Sequence, residues 1–233
     1  MIPFSDQPGP RRRSTPVVMV TLVLVNLLVF LYELSLGDAL PRFVQAYGVV
    51  AYEITAGRDM PPTIPYPVYF TLITSMFLHG GLLHIAGNMI FLWVFGDNVE
   101  DTLGHFGFLL FYCMAGILAG LSQVLVDPSS QTPGIGASGA IAGVLAAYLV
   151  LFPRATVRTL LVLGPFITIT RLSAVILIGF WILFQFVSGL LSLGLAPGQA
   201  SGVAYWAHIG GFFAGLVMIW LYKRWSGAGA RQY

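Results

Sequence analysis

The sequence predicts an all-α protein, a polytopic membrane bundle of six transmembrane helices. Three observations carry that reading. Hydrophobic residues make up 57% of the 233-residue chain and charged residues only 9%, where soluble domains run at about a quarter charged. Apolar stretches near spanning length recur six times along the chain, and the basic residues gather on alternate connections. The length suits one compact bundle. A net charge of +2 with no basic stripe excludes nucleic acid as a partner. The single cysteine, Cys113, excludes an intramolecular disulfide and a cysteine zinc site.

Residues 1–16 are polar and proline-rich and end in Arg11, Arg12 and Arg13, which predicts a short disordered cytoplasmic tail. A basic cluster before an apolar stretch imitates a signal peptide. The stretch from Pro16 to Leu36 is nevertheless long enough to span, and no small-x-small cleavage site follows it. It is the first helix of a membrane domain over 17–222. The connection from Gly37 to about Val68 is the longest, with Pro61, Pro62, Pro65 and Pro67 ahead of an aromatic stretch.

Further spans are predicted at about 82–100, 104–126, 135–152, 172–192 and 203–222, followed by a short cytoplasmic tail over 223–233. The span at 82–100 falls short of ~20 apolar residues, so protein must shelter its outer end. Thr159–Thr170 is shorter still, is broken at Gly164-Pro165 and ends at Arg171. It reads as an interfacial or partly inserted segment. With the N-terminus inside, nine basic residues are cytoplasmic (Arg11, Arg12, Arg13, Arg154, Arg158, Arg171, Lys223, Arg224, Arg231) and only Arg42 and Arg58 lie outside. The expectation is a multi-pass protein of the plasma or inner membrane with both termini in the cytoplasm.

Polar side chains inside spans are costly, so each needs a reason. Gly136-Ala137-Ser138-Gly139 opens the fourth span. Such a serine either marks close helix packing or is a nucleophile left accessible by its small neighbours. His208 on the sixth span shares a helix face with Gly211 and Gly215. It either bonds a neighbouring helix or has a proton-relay or catalytic role. Gly139 and Gly143 form the matching small-xxx-small strip on the fourth span, and packing the strips together would bring Ser138 within reach of His208. His84 and Asn88, four apart, share a face of the second span, and His79 lies off it. No second ligand stands at metal-binding spacing, so the pair reads as hydrogen-bond donors for developing negative charge. Neither metal nor cofactor is expected.

Depth ties these groups together. Ser138 lies sixteen residues above Arg154, His208 fifteen above Lys223, and His84 sixteen above Glu100. At a rise of ~1.5 Å per residue each is ~22–24 Å above its inner anchor, a little below the outer edge of a ~30 Å hydrocarbon core. A neutral His208 could take the proton of Ser138 and return it to a leaving amine, while His84, Asn88 and the Ser138 N–H hold the oxyanion. With acid-free spans expected, the pair reads as a Ser–His dyad whose imidazole is oriented by packing or a backbone carbonyl. A transporter using His84 and His208 would want midplane polar groups and broken helices; these groups sit high.

The stretches His79-Gly-Gly-Leu-Leu-His84-Ile-Ala-Gly-Asn88, Gly136-Ala-Ser138-Gly139 and Ala207-His208-Ile-Gly-Gly211-Phe-Phe-Ala-Gly215 resemble, in kind and order, the rhomboid intramembrane serine proteases. The resemblance covers roughly residues 17–222. It implies Ser138 as nucleophile, His208 as base, His84 and Asn88 in the oxyanion hole, and His79 as a structural support of the outer loop. It also implies membrane-anchored protein substrates, cut near the outer end of their transmembrane helix, with small residues at the cut and helix-weakening residues after it. Non-enzymatic relatives that route clients typically lack the serine or the histidine; both are present here. Tyr69-Phe70-Thr71 stands where many members carry a Trp-Arg pair, and Gly87 stands where some are bulky. Trp181 and Phe184 on the fifth span read as a possible lateral gate or as lipid-facing aromatics.

Overall fold

The computed structural model describes residues 1–7, 14–164, 166–194 and 203–226. Arg11, Arg12, Arg13 and Arg231 of the charge count lie outside the described residues. Six apolar helices form the bundle: α1 (Val17–Ser35), α5 (Leu82–Leu103), α6 (His105–Val126), α7 (Ser138–Leu151), α8 (Ala174–Ser192) and α9 (Tyr205–Trp225). Between α1 and α5 the long connection folds into three short helices, α2 (Leu40–Tyr47), α3 (Ala51–Ala56) and α4 (Thr71–Thr74). The chain is a multi-pass membrane protein, since five of the six helices are long and apolar enough to cross a bilayer.

The exception is α7, and here the expectation needs correcting. The short element is the fourth span, not the second, which runs a full 22 residues. With 14 residues, α7 reaches only ~21 Å at ~1.5 Å per residue. Such a helix survives in a membrane only if protein covers it, and every residue from Gly139 to Tyr148 is buried. It is the axis of the bundle, packed by α5, α6, α8 and α9. Because it begins only at Ser138, the region above its N-terminus is where the interior opens.

Small residues set how closely the neighbours approach. A methyl group on Gly215 would stand 2.5 Å from the Gly143 carbonyl oxygen, and one on Gly211 would collide with the Gly139 carbonyl. On the other flank, a methyl on Gly143 would meet the Ala115 Cβ of α6 at 2.6 Å. The two glycine strips read from the sequence thus meet backbone to backbone.

Two segments depart from the sequence reading. Residues 2–7 of the tail expected to be disordered form a strand, β1 (Ile2–Gln7), and Thr159–Thr170 falls in a hairpin of β2 (Thr156–Leu163) and β3 (Phe166–Ser173). The sheet is antiparallel in the order β1-β2-β3, with Ile2 opposite Leu160 and Leu163 opposite Phe166. Alternating Thr, Val, Ile and Leu suit a pleated surface, and Val157 and Thr159 turn one face into the protein. The tail expected over 223–233 also begins as helix, because α9 continues to Trp225.

The expectation of acid-free spans fails as well. Glu33 lies in α1, and Asp97 and Glu100 lie in α5, all buried. Glu100 accepts the N–H groups of Val18 at 2.9 Å and Met19 at 2.7 Å, which are among the donors a helix leaves unmatched at its N-terminus. Asp101 receives both the N–H and the hydroxyl of Ser14. Asp6 of β1 accepts the Tyr148 hydroxyl at 2.6 Å and the Asn98 amide at 2.8 Å. These groups gather at the end of the bundle that carries Arg154, Lys223 and Arg224, here called the basic end.

Candidate active site

The opposite end holds the residues singled out from the sequence. Ser138 is the first residue of α7, and the loop before it is fixed from outside. Gly134 and Val49 exchange two backbone hydrogen bonds, and Gly136 donates its N–H to the Ser75 carbonyl at 2.8 Å. Gly136 has φ +123°, and a methyl there would stand 2.8 Å from the His84 ring. Only glycine satisfies both the backbone angle and the space.

The glycine contact between α7 and α9 delivers Ser138 to His208: Oγ lies 2.7 Å from Nε2. The other ring nitrogen, Nδ1, lies 2.8 Å from Oε1 of Gln185 on α8. The imidazole is therefore bridged between two side chains, where packing or a backbone carbonyl was expected to hold it. The Trp181 ring lies beside it, centroids 5.7 Å apart. Trp181 thus faces the site rather than lipid, whereas Phe184 is exposed. Gln185 is the residue that sequence reasoning missed; the available signal was an amide in the middle of an apolar span.

His84 and Asn88 approach from α5. His84 Nδ1 accepts the Gly80 N–H at 3.3 Å, which leaves the proton of a neutral ring on Nε2. That nitrogen stands over Gly136, and a methyl placed there would also be 3.6 Å from Ser138 Oγ. Asn88 is buried one turn further along, and its Nδ2 has no hydrogen-bond partner among the described residues. A buried donor of this kind is costly unless a ligand uses it. His79 is buried as well, and its ring lies edge-on to His84, centroids 5.1 Å apart. Its backbone N–H is taken by Glu33 at 3.2 Å. Burial, and secondarily the neighbouring His84, push the His79 pKa down to about 4.

Among the described residues no group of three histidine, cysteine or acidic side chains could hold a metal ion. Two hollows adjoin the site. One of ≈ 50 Å³ opens beside Ser138, lined by Ser75, Ala119, Gly120, Gln123, Gly136 and Ala207 among others. Another of ≈ 120 Å³ is lined by Met1, by Phe91 of α5 and by Leu177, Phe180, Trp181 and Phe184 of α8, and meets the site only through Trp181.

Residues 67–225, more than half of the chain, match the family described as the Rhomboid domain. The chain is 28% identical over 233 residues to Rhomboid protease AarA of Providencia stuartii, covering 93% of this chain and 76% of that protein. It is 25% identical over 230 residues to Rhomboid-like protein 11, chloroplastic, of Arabidopsis thaliana, covering 97% and 72%. A shorter match, 33% identical over 128 residues, links 55% of the chain to 23% of Rhomboid protease GluP of Bacillus subtilis. The chain belongs to the rhomboid family.

Proposed function

We propose that this rhomboid-family chain is an intramembrane serine endopeptidase, with Ser138 as nucleophile and His208 as general base. The observation that carries the reading is the 2.7 Å contact between a serine and an imidazole seventy residues apart, each in a segment where a polar group needs a reason. His208 Nε2 takes the hydroxyl proton as Ser138 Oγ bonds to the scissile carbonyl carbon. The resulting oxyanion is received by His84 Nε2–H, the Asn88 amide and the Ser138 N–H at the start of α7. His208 then gives its proton to the leaving amine, and water cleaves the acyl-enzyme by the same exchange.

The ≈ 50 Å³ hollow beside Ser138, lined by glycine and alanine, suits a small side chain next to the cut. The hollow between Phe91 and the Trp181–Phe184 face offers a lateral path for a transmembrane substrate. With the basic end inside, as the distribution of arginine and lysine favours, cleavage falls near the outer face of the membrane that houses the protein. Single-pass or other membrane-anchored proteins are the substrate class.

The test is co-expression with a panel of single-span reporters, alongside labelling by a fluorophosphonate probe in detergent. Wild type cleaves a reporter and is labelled, whereas Ser138→Ala does neither. Labelling that survives Ser138→Ala, or never occurs in wild type, sinks the protease reading.

A further inference from the structure

Gln185 is the only amide in α8 and is 6% exposed. Amides in membrane helices commonly serve to tie neighbouring helices together, so its partner decides what it does. Trp181, Gln185 and Gly189 recur every four residues on one face. All three meet α9: Gly189 against Tyr205 and Ile209, Trp181 beside the His208 ring, and Gln185 at His208 Nδ1. The contact falls on the one atom of α9 that decides which way the imidazole carries its proton.

A neutral imidazole has one N–H and one lone pair. To accept the Ser138 proton, the lone pair must be on Nε2 and the proton on Nδ1. An acceptor at Nδ1 selects that tautomer, and the amide oxygen of Gln185 is 2.8 Å away. We propose that Gln185 is a positioning residue of the catalytic pair, the uncharged third member of a Ser138–His208–Gln185 chain. The inference rests on the proposed Ser–His reading and adds to it how the base is oriented. An amide differs from the acid of soluble serine proteases in one respect that suits this place. It orients the ring without a buried charge, whose desolvation is expensive. The groups that face His208 are Ser138 of α7, Gln185 and Trp181 of α8, and His84 of α5 as the titratable neighbour.

The experiment uses the full chain in detergent. In wild type, nitrogen-15 NMR of His208 near neutral pH shows the Nδ1–H tautomer; finding Nε2–H instead overturns the proposal without any variant. Gln185→Met, which keeps size but loses the acceptor, lowers kcat roughly 10–100-fold. It leaves KM nearly unchanged and shifts the ring toward Nε2–H. Gln185→Glu restores an acceptor, brings kcat back to within several-fold, and moves the acid limb of kcat/KM to higher pH, because an anion at Nδ1 favours imidazolium. A wild-type kcat in Gln185→Met overturns the proposal, as does a loss of kcat with the tautomer unchanged, or an acid limb unmoved in Gln185→Glu. His208→Ala separates the two levels: if it still cleaves, the Ser–His reading itself has failed. If it is dead while Gln185→Met has wild-type kcat, only the positioning role has.

Discussion

At the basic end, Glu100 is completely buried, yet it accepts two N–H groups of α1 and touches His105 at 2.6 Å. Around it Asp101, Asp6, Asn98 and Tyr148 all have partners. At the Ser138 end Asn88 is buried as well, but its Nδ2 stays unbonded among the described residues. Ser138 touches the His208 imidazole. Both ends bury polar groups in a protein that is otherwise apolar. One end uses them to fasten helices, and the other keeps them in reserve. The difference teaches where to look for chemistry: an unbonded buried donor beside a serine–imidazole contact points to a site, whereas Asn26 Oδ1 and the Tyr112 hydroxyl, unbonded elsewhere in the bundle, do not.

The sharpest way to break that comparison is to remove one member from each end. Ser138→Ala should abolish cleavage, a loss on the order of 10³-fold or more, while thermal unfolding in detergent stays near wild type. Glu100→Ala should do the reverse. It strands two N–H groups at the start of α1 and should destabilise by about 3–5 kcal/mol, with activity per folded molecule largely kept. If Glu100→Ala unfolds like wild type, the basic end is not the fastening this comparison makes it.

Next in size is Asn88→Ala. If the spare amide serves the oxyanion, kcat should fall about 10²-fold, with stability unchanged or slightly raised, because an unbonded buried donor has been removed. Equal losses of stability and activity would move Asn88 into the architectural class.

These contrasts were unevenly legible in the sequence. Ser138, His208, His84 and Asn88 stood out because each is polar within an apolar run, and the glycine strips because their four-residue spacing puts them on one face. The short helix was assigned to the wrong span for a physical reason. Hydropathy counts apolar residues, so it cut α5 short where Asp97–Leu103 turns polar, although the helix continues and buries those acids. It also lengthened α7 through Ile135–Ala137, where the positive φ of Gly136 precludes helix. The strand at Ile2–Gln7 was hidden because its partners lie about 150 residues downstream, and no local pattern announces such a pairing. Gln185 has no motif around it; only the fold reveals what its amide touches.

A smaller effect comes from pH, and its sign differs at two buried groups toward the Ser138 end. His79 has its pKa pushed down to about 4, mainly by burial and also by His84. Its share of stability is present above the ordinary histidine value near 6.5 and is lost as the pH falls toward 4. Glu53 of α3 is shifted the opposite way, raised by burial and partly offset by the N–H of Met60. Its share is present below the ordinary carboxylate value and is lost as the pH rises through the raised one. Melting curves from pH 8 to 4 should therefore show His79→Gln outlasting wild type at the acid end, and Glu53→Gln outlasting it at the neutral end. A His79→Gln melt that tracks wild type down to pH 4 would mean the ring is not buried neutral.

The smallest effect is expected where redundancy is greatest. The Tyr148 hydroxyl donates to Asp6, but Asp6 also holds the Asn98 amide, and the Tyr148 ring is packed edge-on against Phe95 at 4.9 Å. Tyr148→Phe keeps the ring and leaves Asp6 an acceptor with a partner, so it should cost only about 1 kcal/mol and leave cleavage intact. Asp6→Ala should cost more, because it strands the Tyr148 hydroxyl, takes one of two acceptors from the Asn98 amide and loosens β1 from α5 and α7. A double-mutant cycle on the two then isolates the coupling between the hydroxyl and the carboxylate. Full additivity would mean that the Tyr148 hydroxyl and Asp6 do not fasten β1 to α7 through each other.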